Sequence, residues 1–345
     1  MKILVTGKYD PTYNRTLILL SGLKKNGVTL IELPLSGLSA KDKVAVKKAA
    51  TDCDLVYLPP FTHADVRRIK KWTNKPVVFD PLISKYLTKV FDYKLVWKYS
   101  PRALKNFYKD KFPFQASDLL ISDTFAHAEF YSNTFGISRS KIEVVEIGAD
   151  TDAFSPQVSA NKETGLFRVG FYGGFIPLQG VRTILEAAEI LKGRPVMFEM
   201  VGDGFEYIKS KAFVQQNKLK NITFHGRAAY KDLPAIINSF DICLGIFGHT
   251  PKAELVIPNK VFHYCSCGKY TITRDSRAIR EVFEDGKNIA LIKPNPQSLA
   301  EKILEAINSP EKVESIGKKA RETIHLRFND LAVGKKFIHA ITKAL

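Results

Sequence analysis

Short runs of β-branched and other apolar residues alternate with helical or loop segments along this chain, and this alternation constrains its fold more than any other feature. The first run, Lys2–Gly7, is followed by an apolar-periodic helical segment around Leu17–Leu23. Further strands are predicted at Leu55–Leu58, Val77–Phe79, Leu119–Ile121 and Val144–Ile147. Because strands that alternate with helices favour parallel sheets with crossover helices, the first half is predicted to be an α/β domain.

A second series of the same kind begins after the polar stretch Ser155–Thr164. Its predicted strands are Phe167–Tyr172, Met197–Val201, Ile222–Phe224, Ile242–Leu244, Tyr270–Thr273 and Ala290–Ile292. Its predicted helices are Val181–Lys192, Lys231–Ser239 and Gln297–Asn308. We therefore expect an α/β chain of two Rossmann-like domains that face a central cleft, one over residues 1–155 and the other over residues 165–327.

Composition excludes several classes of protein. Hydrophobic residues make up 45% of the 345 residues, yet no segment approaches the roughly 18 uncharged apolar residues that cross a bilayer. The N-terminus lacks the pattern of a signal peptide, so a cytoplasmic protein is expected, with peripheral attachment to the inner face of the membrane left open. The four cysteines are expected to be reduced and to serve in packing, because they do not form the pattern of a disulfide framework. The net charge of +17 favours anionic partners.

Ligands of open α/β sheets bind beyond the carboxyl ends of the strands, so the residues that follow each strand are the candidates for a site. After the first strand comes a turn-rich loop that starts at Gly7 and leads through Asn14 to Arg15. A helix start attracts anions, and Arg15 would add a positive charge to it. The alternative is an ordinary βα loop, because a complete G-x-G-x-x-G pattern is absent.

Two further strand ends in the first half carry ionisable groups, Asp80 after one strand and the segment Ser122–His127 after the next. A carboxylate and an imidazole that meet in a cleft position hydroxyls or move protons, which predicts such roles for Asp80 and His127. Asp123 or Thr124 is the candidate cap of the following helix. A purely structural His127 is the alternative.

The second half is more specific. Tyr172–Gly180 follows a strand and opens a helix, so Gly173 and Gly174 would let a phosphate approach backbone N–H groups closely. Gly202 begins another tight turn, but the third glycine of a dinucleotide-binding pattern is missing, which disfavours NAD. Lys260 lies near the start of a short helical pattern, where its ammonium group and the N–H dipoles would hold a diphosphate together. A solvated lysine is the alternative.

In their order along the chain, these segments resemble the motifs of family 4 of the retaining glycosyltransferases, over nearly the whole length. In the second half the resemblance rests on Tyr172–Gly180, Gly202–Gly204, Asp241–Gly245, Pro258–Lys260, Gly268–Lys269, Ala278–Val282 and Glu284–Gly286. In the first half it rests on Asp10–Arg15, Asp80–Leu82, Gly148–Asp150 and Phe154–Pro156, which resemble a bacterial and archaeal subset.

The resemblance implies a GT-B fold and a retaining hexosyltransferase that needs no metal or other cofactor. Residues 328–345 would form a C-terminal helix that crosses back to the first domain. The substrates would be a UDP- or GDP-type nucleotide-sugar donor and a glycan, lipid-linked or small-molecule acceptor, and nucleic acid is not an expected partner. The donor would be held by Gly173, Gly174, Gly202, Lys252, Asn259, Lys260 and His263. Catalytic roles fall to Asp80, His127 and Lys260, and the acceptor-side loop contains Gly7, Asn14 and Arg15.

The sequence departs from the family pattern at the donor site. The basic pair common near Gly174 and Gln179 is absent, so Lys260, Lys252 or Arg15 would supply the positive charge. Of the family's two glutamates eight positions apart, the first falls on Leu255 and the second, which usually holds the donor ribose, on His263. The departures keep a catalytically impaired pseudo-glycosyltransferase as the main alternative. A nucleotide-sugar epimerase and a nucleic-acid-binding protein are lesser ones.

A strongly basic and aromatic segment lies between Lys85 and Lys111. It contains eight basic residues and two acidic ones, Asp92 and Asp110, with seven aromatic residues interleaved. These are Tyr86, Phe91, Tyr93, Trp97, Tyr99, Phe107 and Tyr108. This composition predicts contact with an anionic membrane surface, and a solvated helix whose aromatic residues pack inward is the alternative.

Overall fold

A computed structural model describes residues 1–157 and 165–344 of the chain. It contains two six-stranded parallel sheets, each in its own compact unit, which confirms the expected α/β class. The first unit joins Met1–Gly148 with the chain from Phe328 onward, and the second unit is Ala149–Arg327. Within the described ranges, no helix is both long and apolar enough to cross a membrane.

The sheet of the first unit has the strand order β2-β1-β3-β4-β5-β6. Its strands are β1 Lys2–Gly7, β2 Thr29–Pro34, β3 Leu55–Leu58, β4 Val77–Phe79, β5 Leu119–Ser122 and β6 Ile142–Val144. Its helices are α1 Asn14–Lys25, α2 Ala40–Thr51, α3 Val66–Lys70, α4 Pro101–Ala116, α5 Phe125–Phe135 and α12 Asp330–Ala344. A π-helical turn at Leu87–Asp92 and a 3₁₀ turn at Arg139–Lys141 complete it.

Two strands of this sheet differ from the sequence prediction. β2 was not predicted, because it is an edge strand whose residues are exposed or half-buried and therefore lack an apolar run. The last strand, predicted at Val144–Ile147, spans Ile142–Val144 instead. The Val145 N–H still donates to the Ser122 carbonyl, and the carbonyl of the next residue, Glu146, accepts a hydrogen bond from the guanidinium of Arg15.

The last helix, α12, packs on α1 within the first unit through two glycines. A Cβ on Gly22 of α1 would lie 1.9 Å from the carbonyl oxygen of Asp330, and one on Gly334 of α12 would lie 2.3 Å from the carbonyl carbon of Gly22. Polar contacts close the same interface, since the Ser21 hydroxyl donates to Asp330 Oδ2 at 2.6 Å. The C-terminal residues thereby cover one face of the first sheet, where Phe337 and Ile341 join its apolar core.

The second sheet has the strand order β12-β11-β10-β7-β8-β9. Its strands are β7 Phe167–Tyr172, β8 Val196–Val201, β9 Ile222–Gly226, β10 Ile242–Leu244, β11 Tyr270–Arg274 and β12 Ala290–Ile292. Its helices are α6 Val181–Ile190, α7 Tyr207–Gln216, α8 Leu233–Asn238, α9 Asn259–Ser266, α10 Pro296–Ile307 and α11 Pro310–Arg327. Short 3₁₀ turns lie at Pro177–Gln179, Tyr230–Asp232, Pro251–Glu254 and Ile279–Glu281.

The second unit begins earlier in the chain than the sequence indicates. Phe154 is fully buried, its carbonyl accepts a hydrogen bond from the Ser266 hydroxyl at 2.5 Å, and its ring stacks on His263. The backbone N–H of Gln157 donates to the side chain of Asn238. These contacts hold residues 149–157 on the second unit, whereas residues 158–164 of the polar stretch lie outside the described part.

The contact between α1 and α12 predicts that Gly22 tolerates no side chain. Gly22→Ala should lower the free energy of unfolding by about 1–3 kcal/mol or more, because the new methyl group overlaps the Asp330 carbonyl and the helices must separate. Gly37→Ala is the control, since its Cβ would meet only Asp42 Oδ2 at 3.4 Å. Urea denaturation of both variants measures the effect, and equal stabilities would contradict the close packing.

Candidate functional site

A cavity of about 350 Å³ lies at the carboxyl ends of β7, β8 and β9, where the ligands of such sheets bind. It is lined by Tyr172, Gly173, Gly174, Gly202, Asp203, Arg227, Tyr230 and Leu233, with Val201 and Ala228. The lining therefore combines backbone turns with aromatic and aliphatic side chains, one carboxylate and one guanidinium. Three of the glycines predicted to hold a donor, Gly173, Gly174 and Gly202, meet here.

Gly202 is required by close contact with the neighbouring turn, and Gly173 is favoured by its positive φ and by its contact with Lys260. Gly202 has φ 133°, and a Cβ there would lie 1.9 Å from the carbonyl oxygen of Gly173. Gly173 has φ 149°, and its Cβ would lie 2.8 Å from Lys260 Nζ. The N–H of Gly174 has no hydrogen-bond partner among the residues that the structure describes. An N–H left free at a strand end is a donor for a phosphate oxygen.

Lys260 is the second residue of α9 and is buried under this turn. Its Nζ lies 3.6 Å from the centroid of the Phe171 ring and 3.4 Å from the carbonyl oxygen of Gly245. Burial lowers the pKa of Lys260 well below its usual value. The ring of Phe171 stabilises the protonated amine of Lys260 less than an anion would. A phosphate bound next to Lys260 would therefore favour protonation of the amine.

His263 lies one turn further along α9, behind the cavity rather than in its lining. Its Nδ1 is 2.5 Å from the hydroxyl of Tyr172, and its ring stacks on Phe154 with centroids 3.8 Å apart. Burial lowers the pKa of His263 to about 3, so the ring is neutral near pH 7. Of this pair, only Tyr172 reaches the cavity.

The remaining predicted donor residues lie outside this cavity. Lys252 is buried in the 3₁₀ turn Pro251–Glu254, and Asn259 is the half-buried first residue of α9. Glu254, which lies next to the family's first glutamate position, pairs with Arg274. Sequence reasoning missed Arg274. The signal for Arg274 was a basic residue at the end of a predicted strand. Its guanidinium donates hydrogen bonds to Glu254 and to the carbonyl of Gly248.

In the first unit the predicted loop residues Gly7, Asn14 and Arg15 are all buried. Arg15 is fully buried, and its Nε donates to Asp80 Oδ2 at 2.8 Å. The expectation that Arg15 adds a free charge to the helix start is therefore wrong, because Asp80 neutralises that charge. Burial raises the pKa of Asp80, and the neighbouring Arg15 opposes this rise.

His127 and Asp123 form a second buried pair at the neighbouring strand end. His127 Nδ1 lies 2.7 Å from Asp123 Oδ1, which places the proton on Nδ1 and leaves Nε2 as an acceptor. Thr124, and not Asp123, caps α5, since its hydroxyl oxygen accepts from the N–H of His127. Within the described part of the chain, no hydrogen bond joins Asp80 to His127. Asp123 links the two pairs electrostatically, because its charge also raises the pKa of Asp80.

Several buried polar atoms around these two pairs have no hydrogen-bond partner within the described ranges. They are Arg15 Nη2, Asp80 Oδ1, His127 Nε2, Tyr131 Oη and Tyr9 Oη. A buried polar atom without a partner costs about 1–3 kcal/mol. Such a concentration is typical of a functional site, where ligand hydroxyls or water supply the partners. No group of three His, Cys, Asp or Glu side chains suited to a metal occurs in the described part of the chain.

The low pKa of His263 predicts an acid-sensitive fold. The folded-state pKa of about 3 lies below the unfolded value of about 6.5. The stability contributed by this residue is thus complete above pH 6.5 and is lost as the pH falls towards 3. Between pH 6.5 and 4, the wild-type protein should lose up to about 1.4 kcal/mol of its free energy of unfolding per pH unit through this residue. His263→Gln should not show this loss.

Chemical denaturation at pH 7 and pH 5 measures this difference. His325→Gln, at an exposed position, is the control and should keep the wild-type pH dependence. If His263→Gln lost stability in acid as steeply as the wild type, the neutral buried imidazole would be wrong.

Comparisons with known proteins agree with this architecture. Residues 155–323 match the family model of the group 1 glycosyl transferases. An uncharacterized glycosyltransferase of Methanocaldococcus jannaschii is 29% identical over 160 residues, which cover 44% of this chain and 41% of that protein. The alignments with curated relatives span between 29% and 61% of those proteins' own lengths.

Solved structures with the same fold extend over nearly the whole chain. Anabaena HepE in complex with UDP and glucose has a TM-score of 0.77 at 17% identity, with 99% of this chain and 100% of that one covered. Sucrose-phosphate synthase from Thermosynechococcus elongatus has a TM-score of 0.79 at 14% identity, with 99% and 98% covered. The chain therefore has the GT-B fold, and its second half, residues 155–323, matches the group 1 glycosyl transferases.

Proposed function

We propose that this protein is a retaining, metal-independent glycosyltransferase that moves a sugar from a UDP- or GDP-type donor to a glycan, lipid-linked or small-molecule acceptor. The observation that carries the proposal is the buried Lys260 beneath the Gly173 turn, next to the free N–H of Gly174. Gly173 and Gly174 line a cavity whose volume is typical of ligand pockets, and Lys260 lies directly behind Gly173. Crystal structures of Anabaena HepE, which shares the fold, contain UDP and UDP-glucose.

The diphosphate of the donor would lie between the Gly174 N–H and the start of α9. Lys260 would take up a proton as phosphate binds, because a neighbouring anion raises the pKa of a buried amine. Its charge and the N–H groups then stabilise the negative charge that develops on the leaving nucleoside diphosphate. Each well-placed donor lowers the barrier by about 3 kcal/mol. In this mechanism the protein's own groups carry the task that a metal has in other transferases.

The nucleoside would occupy the aromatic part of the same cavity. Tyr230 and Leu233 offer apolar surface for a base, and the Tyr172 hydroxyl, which contacts His263, is a polar group beside it. We assign to Tyr172 the contact with the ribose that a glutamate makes in the family. His263 then acts as a positioning residue, because its bond at 2.5 Å fixes the Tyr172 hydroxyl.

Retention requires no protein nucleophile in this proposal. The acceptor oxygen attacks C1 on the face from which the phosphate leaves, the bond between C1 and the phosphate oxygen breaks, and the acceptor proton passes to that phosphate oxygen. The acceptor would be held by the first unit. There the Oδ1 atom of Asp80 and the Nε2 atom of His127 are buried acceptors without a partner among the described residues, and they can orient a hydroxyl.

A pseudo-glycosyltransferase is the second candidate, and the donor site supplies the observation in its favour. Leu255 replaces the first family glutamate, and the adjacent Glu254 is engaged by Arg274. Such a protein would bind the nucleotide-sugar without transferring its sugar. UDP release from the nucleotide-sugar distinguishes the two candidates, since only the enzyme releases UDP with turnover.

For donor binding, Lys260→Met is the decisive variant, since methionine keeps the packing on Phe171 and removes the amine. UDP should bind roughly 10- to 100-fold more weakly, because a charge-assisted hydrogen bond is worth about 1.5–3 kcal/mol. Uridine should bind within about twofold of wild type, because it lacks the phosphates, and this comparison is the internal control. Calorimetry separates the two ligands, and equal losses would assign Lys260 to the fold or the base instead. If GDP and guanosine replace UDP and uridine in this pattern, the donor base is guanine.

For the acceptor side, Asp123→Asn and His127→Ala test the buried pair as a unit. Each should slow UDP release about 10²-fold, and the double variant should be no slower than the worse single one. Binding of UDP should stay within about twofold, because the donor contacts proposed above all belong to the second unit. Additive losses, or a parallel loss of UDP affinity, would show that the pair supports the fold and not the acceptor.

A further inference from the structure

We propose that the first unit docks on bilayers that contain anionic phospholipid, through a basic–aromatic surface. This surface is formed by α4 and the segment before it, residues 89–112. Its exposed apolar members are Leu95, Trp97, Tyr99, Leu104, Tyr108 and Phe112. The inference does not depend on the proposed function, because every residue in it lies outside the sites described above.

One side of α4 presents an apolar stripe to solvent. Leu104, Tyr108 and Phe112 follow one another at intervals of four residues, so they lie on one face of the helix. They are 57%, 40% and 42% exposed. The rings of Tyr108 and Phe112 stack 5.0 Å apart, and the Arg67 guanidinium lies 5.1 Å from the Phe112 ring. The opposite side of the helix packs on the core through Ala103 and Phe114.

The segment before α4 extends the stripe. Leu95, Trp97 and Tyr99 are 60%, 69% and 71% exposed, and the rings of Trp97 and Tyr99 lie 5.3 Å apart. Tyr99 and Leu104 line the same open cavity, of about 440 Å³, which makes the surface continuous across the start of the helix. Contiguous apolar patches of this kind are uncommon on monomeric soluble proteins and mark interaction sites.

The charges of this surface are all positive. Its exposed basic residues are Lys89, Lys94, Lys98, Arg102, Lys105 and Lys109. Both acidic residues of the segment are buried, Asp92 at 1% and Asp110 at 0% exposure. Asp110 accepts hydrogen bonds from the Ser84 hydroxyl and the Tyr86 N–H, so it holds the preceding loop and neutralises none of the exposed charge.

The aromatic residues that were predicted for this surface differ in their exposure to solvent. Tyr86, Phe91, Tyr93 and Phe107 are half-buried, as the inward-packing alternative predicts. Trp97, Tyr99 and Tyr108 are exposed, and the aliphatic and aromatic side chains of Leu95, Leu104 and Phe112 join them. Position on α4 decides the outcome, since residues 104, 108 and 112 share one face and Phe107 lies on another.

A bilayer fits this combination better than a polyanion does. Basic residues bind the headgroups of anionic lipids, and leucine, tryptophan and phenylalanine enter the boundary between headgroups and acyl chains. A nucleic acid would use the charges and the aromatic faces but would leave Leu95 and Leu104 in water.

Vesicle sedimentation tests the electrostatic part. The full chain should bind phosphatidylglycerol vesicles in low salt, lose binding in high salt, and bind phosphatidylcholine vesicles at least tenfold more weakly. Replacement of Lys94, Lys98, Arg102 and Lys105 by Glu should weaken binding on the order of a hundredfold or more.

The matched control replaces Lys209, Lys211, Lys218 and Lys220 by Glu, which changes the net charge equally at exposed positions of the second unit. Lys218 has φ 51° and Lys94 has φ 52°, so both sets include one comparable backbone position. The control should bind within about threefold of wild type. Equal weakening in both variants would reduce the effect to net charge and overturn the proposal.

Trp97 tests the apolar part directly, since the chain has only one other tryptophan, the half-buried Trp72. In a Trp72→Phe protein, the emission of Trp97 should shift to the blue with phosphatidylglycerol vesicles and be quenched by lipids brominated on the acyl chain. Leu104→Ser should weaken binding several-fold with its charges intact.

Two results would overturn the proposal. One is unchanged emission of Trp97 at saturating vesicle concentrations. The other is a single-stranded oligonucleotide that binds as tightly as the vesicles and loses affinity in the Lys94, Lys98, Arg102 and Lys105 variant but not in Leu104→Ser, which would assign the surface to nucleic acid. Circular dichroism of each variant, compared with wild type, ensures that lost binding is not lost folding.

Discussion

The proposed donor site depends on backbone turns that pack directly against one another at the carboxyl ends of the strands. Where the turns after β7 and β8 meet, the Gly202 Cα approaches the Gly173 carbonyl so closely that a Cβ would lie 1.9 Å from it. The same crowding brings Lys260 Nζ under Gly173. An alanine at Gly202 would push the turns apart, and an alanine at Gly173 would displace the Lys260 amine. The packing of the turns and the proposed contact with phosphate therefore both favour glycine at positions 173 and 202.

The first unit satisfies a comparable constraint with charge rather than with glycine. A fully buried guanidinium is stable only when its charge is paired, and Arg15 is bound by Asp80 and the Glu146 carbonyl. Removal of one partner from a buried pair costs about 3–5 kcal/mol. The sequence placed Arg15 at the correct strand end but not in this pair, because helix-start reasoning treats a basic residue as free to meet a ligand. Only the tertiary structure shows that Arg15 forms an ion pair with Asp80, which lies 65 residues later in the chain.

Sequence reasoning succeeded where the chemistry is local and failed where it depends on distant partners. Apolar runs located eleven strands, although the bounds of β6 were wrong, and glycine spacing located Gly173 and Gly202, because strand and turn preferences act over a few residues. The edge strand β2 lacked such a run. The roles of Tyr172 and Phe154 could not be predicted, since their contacts with His263 bridge 91 and 109 residues of chain. The sequence shows that His263 stands where the family pattern has a glutamate. It does not show that aromatic rings stack on the imidazole.

The two proposed anion-binding sites of the molecule differ in how their charges are placed. Eight basic and two acidic residues between Lys85 and Lys111 contribute a net +6 of the total +17, and the exposed ones attract an anionic surface from beyond contact distance, with a screening length of about 8 Å at physiological salt. Lys260 acts in the opposite way. Burial makes its charged form costly until an anion arrives, so it contributes little at long range and much at contact. A change in salt therefore acts mainly on the basic–aromatic surface. The proposed recognition of the donor at the buried amine would depend on the geometry of the Gly173 turn instead, because buried charges are screened much less than exposed ones.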